Sequence, residues 1–80
     1  MMKASEYNAI LPENISLIVM KRGMKQGAVA EKAGFSPREF SDMLNGRRII
    51  KVSDILKIAY VLGVTPNELF GIDDRPQKSA

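Results

Sequence analysis

"QGAVAEKAGFSPREFSDM", Gln26 to Met43, holds two short helical patterns with a glycine between them. In the first, Val29, Ala30 and Ala33 recur at the three- and four-residue steps that place side chains on one helix face. Gly27 weakens that helix by up to about 1 kcal/mol relative to alanine. Gly34 comes next, where a turn with positive φ costs glycine nothing sterically. The second pattern opens with "SPRE". Ser36 can cap, Pro37 suits the first helical position, and Glu39 can reach back to the Ser36 amide in a capping box. Its buried face is then Phe40, Met43 and Leu44.

Toward the N-terminus, Pro12 suits a first helical turn, Ile15, Ile18 and Val19 continue at helical spacing, and Gly23 stands where a C-terminal cap would. Beyond the turn "NGRR", the segment "VSDILKIAYVLG" puts Val52, Ile55, Ile58, Ala59 and Leu62 on a wide apolar stripe ending at Gly63. "TPNELF" then repeats the earlier chemistry, with Thr65 as cap, Pro66 first in the helix and Glu68 closing the box. No segment alternates cleanly between apolar and polar, although "RRIIKVS" suits an extended connector. The fold class is all-α, a compact bundle of about five short helices. Its domain runs over residues 11–72, with an N-terminal arm at 1–10 and a polar C-terminal tail at 73–80.

Composition narrows the function. Eighty residues make one small domain, with little room for a deep catalytic cleft. There is no cysteine or histidine, so thiolate nucleophiles, thiolate metal sites and the commonest general base are all excluded. The serines have no histidine to activate them, no cofactor is implied, and the expectation is a protein that is not an enzyme. A metal site from Glu68, Asp73 and Asp74 is a weaker reading of those carboxylates than a solvated tail. The longest apolar run, "ISLIV", falls far short of the roughly 20 residues of a membrane span, so a cytoplasmic protein is the expectation. A net charge of +3 permits polyanion binding without demonstrating it.

The spacing of Gln26, Ala30, Gly34, Phe40 and Met43 carries more. Ala30 lets two helices approach, Gly34 turns the chain, and Phe40 and Met43 fill the space between, which is how a helix-turn-helix is built. Together with "NISLIVMKRGMKQGAVAEKAGFS", "NGRR" and "DILKIAYVLGVTPNELF", it resembles the Cro and C1 repressor type of helix-turn-helix domain, the XRE family, across residues 14–70. The resemblance implies a lambda-repressor-like fold whose third helix, about residues 37–44, enters the DNA major groove while the second starts against phosphate.

By that resemblance Pro37, Arg38, Ser41 and Asp42 read bases, Arg38 foremost because a guanidinium can donate twice to guanine. Gln26, Lys25, Asn45, Arg47 and Arg48 contact phosphate. Asp42 lies four residues after Arg38, so it either orients that guanidinium, accepts from cytosine N4, or forms an ordinary exposed ion pair. Glu39 is assigned to the capping box. The sequence departs from the family in Lys25, where Ser or Thr often caps, in Gly27 and Ala28, in Pro37, and in Ile50 and Lys51 before the fourth helix. There Ser53 is an alternative cap.

The function implied is a sequence-specific DNA-binding transcriptional regulator of bacterial or phage type, a repressor foremost, acting as a homodimer on double-stranded DNA. Phe70, Ile72 and the exposed edge of the last two helices are candidate interface residues, or else complete the monomer core. The alternative is a protein-interaction module using the acidic third helix, such as an antirepressor or antitoxin with a protein partner.

Overall fold

In the computed structural model, which describes residues 3–72, five helices succeed one another: α1 Ala4–Lys21, α2 Gln26–Ala33, α3 Pro37–Leu44, α4 Val52–Leu62 and α5 Pro66–Leu69. No strand occurs among the described residues. The all-α expectation holds. α2 packs between α3 and α4, while α1 closes the bundle against α3 and α5.

The core is what the periodicities predict in α2 and α3: Val29, Ala30, Ala33, Phe40 and Met43 are buried, and Leu44 is half-buried. Ile15, Ile58, Leu62 and Leu69 join them from the other helices. Phe35, in the turn itself, is also buried and stacks parallel to Phe40 with ring centroids 6.2 Å apart. That stack joins the turn to the first half of α3.

Four local expectations are corrected. Residues 4–10 are not an arm but the first turns of α1, and Pro12 lies inside the helix rather than at its start. A proline there removes the hydrogen bond to the Asn8 carbonyl and costs on the order of 3 kcal/mol. Two things offset this: Asn8 is exposed, so water can satisfy its carbonyl, and the early turns bring Leu11 into the core and Tyr7 edge-on to Phe70, 6.1 Å between centroids. Phe70 is thus half-buried within the monomer, and Ile72 is 38% exposed.

Val52, predicted on the buried stripe of α4, is 74% exposed. It is the first residue of α4, and side chains lean toward the helix N-terminus, so it leans off the end of the packed stripe. Ser53 lies inside the helix and does not cap it. Lys51 occupies the cap position, and the buried Asp54 accepts its backbone N–H at 3.0 Å through Oδ2. A lysine side chain has no acceptor, so only this half of a capping box exists. The C-terminal tail 73–80, with Asp73 and Asp74, lies outside the described residues, as do Met1 and Met2.

Candidate nucleic-acid interface

α3 is set by its two ends. At the N-terminus, Ser36 Oγ accepts the Glu39 amide at 3.1 Å and Glu39 Oε1 accepts the Ser36 amide at 3.0 Å, a complete capping box, with Pro37 in the first turn. At the C-terminus the Gly46 amide donates to Met43 O at 3.3 Å and the Arg47 amide to Asp42 O at 2.8 Å, with Gly46 at φ +76°. This is a Schellman ending.

The same pair of bonds ends every helix, and the residue after the glycine is of a different kind in one case only. Met24, Phe35, Val64 and Ile72 come after Gly23, Gly34, Gly63 and Gly71, and each donates its amide back across the last turn. An apolar residue there ordinarily folds onto its own helix. After α3 the residue is Arg47, and it is exposed. Phe35 thereby enters the core and Met24 and Val64 pack against it, Ile72 stays partly exposed, and after α3 the same position carries an exposed guanidinium.

With Phe40 and Met43 buried, the opposite side of α3 carries Arg38, Ser41, Asp42 and Asn45, one or two residues per turn. Arg38 and Pro37 are exposed, while Ser41 and Asp42 are half-buried. Asn45 is already engaged: its Nδ2 donates to Ser41 O at 2.9 Å and to Ser41 Oγ at 3.3 Å. What remains to it is an acceptor, which cannot bind a phosphate oxygen.

The charges pair differently from the helix-spacing rule. Among the described residues the one ion pair is Arg48 Nη2 to Glu39 Oε2 at 3.3 Å, with both side chains partly exposed. Arg38 and Asp42 form none. Hydrogen bonding from the Ser36 amide, then from its side chain, holds the Glu39 carboxyl below its ordinary 4.5 against an opposing effect of burial, with the Arg48 charge the smallest contributor. Glu39 is thus a carboxylate at neutral pH, committed to both ends of the loop around α3.

α2 begins otherwise. Lys25 sits at its cap position with no side-chain hydrogen bond, and Gln26, Gly27 and Ala28 are exposed. The first amides, orphan donors of any helix start, have no side-chain acceptor here. Open space surrounds Gly27, where an added Cβ meets nothing within 4 Å.

The residues missed by sequence reasoning are Phe35 and the Glu39–Arg48 pair. A signal for the first lay in its place after a helix-ending glycine. The second joins residues nine apart across a turn and leaves no periodic trace. Among the described residues no helix is long and apolar enough to cross a membrane. No curated protein and no solved structure matches the chain. The family described as helix-turn-helix domain matches residues 18–69, from the second half of α1 to the end of α5, consistent with the Cro/C1-type resemblance. The chain belongs to the helix-turn-helix domain family.

Proposed function

We propose that this protein is a sequence-specific DNA-binding transcriptional regulator of bacterial or phage type, which represses by occupying an operator. The observation that carries the proposal is the ending of α3, where Arg47 stands exposed in the place that holds an apolar residue after each of the other four helices. An exposed guanidinium at a position that elsewhere carries an apolar residue, packed on the core in three of four cases, is suited to meet an anion.

Each site residue then has a role. The uncapped amides of α2, with Gln26 and Lys25, receive one phosphate at a helix N-terminus. Arg47 and Arg48 clamp a second, on the far side of α3. Between them Arg38 donates to guanine O6 and N7, and Ser41 contacts an adjacent base edge. Asp42, free of any ion pair among the described residues, accepts from cytosine N4. Pro37 offers only apolar contact to a thymine methyl. Asn45 acts as a positioning residue, tying the loop to Ser41.

So small a reading surface calls for two copies on half-sites about 34 Å apart, with the pseudo-palindrome supplying the remaining specificity. The alternative, a protein-interaction module that uses an acidic α3, has less support, because Glu39 is committed to the cap and to Arg48.

The test is fluorescence-anisotropy titration of the chain against random duplex DNA and duplexes from its own upstream region, across a salt series. Preference for one upstream duplex, lost in Arg38→Ala while binding to random duplex persists, supports the proposal. Absence of binding to any duplex at low salt, by a folded protein, defeats it.

A further inference from the structure

α4 presents an apolar stripe to solvent that the helix-turn-helix does not use. Val52, Leu56 and Tyr60 succeed one another at four-residue steps and are 74%, 55% and 87% exposed. The second half of the stripe borders a groove of about 280 Å³ between α4 and the end of α2, lined by Lys32, Ala33, Leu56, Lys57, Tyr60 and Val61. Its floor is apolar. Its rim is cationic, with two lysines and no carboxylate, since Glu31 falls outside the lining. Neither lysine takes part in an ion pair among the described residues, and Lys57 Nζ instead lies 5.9 Å from the centre of the Phe35 ring.

Three properties select the occupant. A tyrosine left this exposed on a well-packed helix gains nothing in the monomer, whereas aromatic residues in apolar patches anchor partners. The patch spans three apolar side chains on one helix, far fewer than the roughly 20–30 residues a side of a standard protein interface, so it matches a single helical segment. The rim settles the charge. A two-fold pairing of this patch with itself would bring together four lysines and no carboxylate from its lining, and DNA would find an apolar floor where it needs donors. A segment with carboxylates flanking its apolar face meets both features.

We propose that the α2–α4 groove docks an acidic amphipathic helix of a partner protein, its apolar side chains against Leu56 and Tyr60 and its carboxylates on Lys32 and Lys57. This surface is distinct from the nucleic-acid face of α3, so a partner can ride on the protein while DNA is held.

The probe is a fluorescein-labelled peptide of about 15 residues, with leucines at alternating three- and four-residue spacing and glutamates flanking them, alongside a twin with lysines for the glutamates. Anisotropy titration of the full chain is expected to show the acidic peptide binding at least about tenfold tighter than its twin. Leu56→Asp and Tyr60→Ser, both at exposed positions, each abolish that binding yet leave thermal unfolding and binding to random duplex DNA unchanged. If one variant fails to fold, the other carries the test. Lys32→Glu with Lys57→Glu reverses the preference between the peptides. Equal binding of the two peptides, binding by neither, or indifference to both Leu56→Asp and Tyr60→Ser overturns the proposal. So does sedimentation equilibrium that finds a dimer which Leu56→Asp dissociates, because a second copy would then own the face.

Discussion

Glu39 receives the Arg48 guanidinium at 3.3 Å through Oε2 while its other oxygen holds the Ser36 amide that starts α3. One carboxylate therefore joins the beginning of that helix to the loop beyond its end. On the reading proposed above, α3 can carry this acid and still meet DNA, because the acid faces the protein's own amide and its own arginine.

Removing that charge should strengthen indiscriminate DNA binding. In Glu39→Gln the acceptor for the Ser36 amide survives, while Arg48 loses its partner and the local field loses a negative charge. Anisotropy titration against random duplex should show tighter binding and a steeper fall of log K with log salt. Unchanged or weaker binding would mean that Glu39 holds Arg48 in its working position instead.

The same residue sets a pH dependence. Its folded pKa lies below the ordinary 4.5, so the unfolded chain takes up the proton first as pH falls, and ionised Glu39 stabilises the fold fully only above that range. Stability from this group is lost as pH drops through the depressed folded value. Urea unfolding between pH 7 and acid should show the gap between the natural protein and Glu39→Gln shrinking below pH 4.5. A constant gap would contradict this.

Ser36→Ala removes the reciprocal bond to the Glu39 amide and should cost about 0.5–2 kcal/mol in chemical denaturation. The whole domain feels this, because α3 is anchored through Phe40 in the core. A loss below that range would show that water caps the helix as well as serine does.

Two glycines should respond in opposite directions. Gly34 has φ +85°, and alanine there costs roughly 1–2 kcal/mol although its Cβ meets nothing. Gly27 is helical, exposed and unobstructed, so Gly27→Ala should stabilise by up to about 1 kcal/mol. If α2 receives a phosphate at its first amides, the added methyl also weakens duplex binding. Thermal unfolding and anisotropy on the same two variants separate these effects.

Much of this was legible in the sequence because its signals are local. Ser36, Pro37 and Glu39 announce a helix start through contacts three residues apart, and the glycines after α1, α2 and α4 announce ends in the same way. The hidden features depend on the bundle. Tyr7 extends α1 backward through Pro12 because Phe70, more than sixty residues on, supplies its packing surface. Val52 reads as core by periodicity but stands where α4 leaves its neighbours. In the candidate interface, Arg38 and Arg47 are exposed where the sequence suggested. The engagement of Asn45 with Ser41 and of Arg48 with Glu39 needed coordinates.

The decisive measurement is the ¹⁵N–¹H correlation spectrum of the protein titrated with duplex DNA from its upstream region. Amide shifts should concentrate at residues 26–28, 38–42 and 46–48, while those around Leu56 and Tyr60 stay in place. Shifts centred on α4, or a spectrum unmoved by saturating duplex at low salt, would contradict the assignment of α3 and its flanking arginines as the surface that meets DNA.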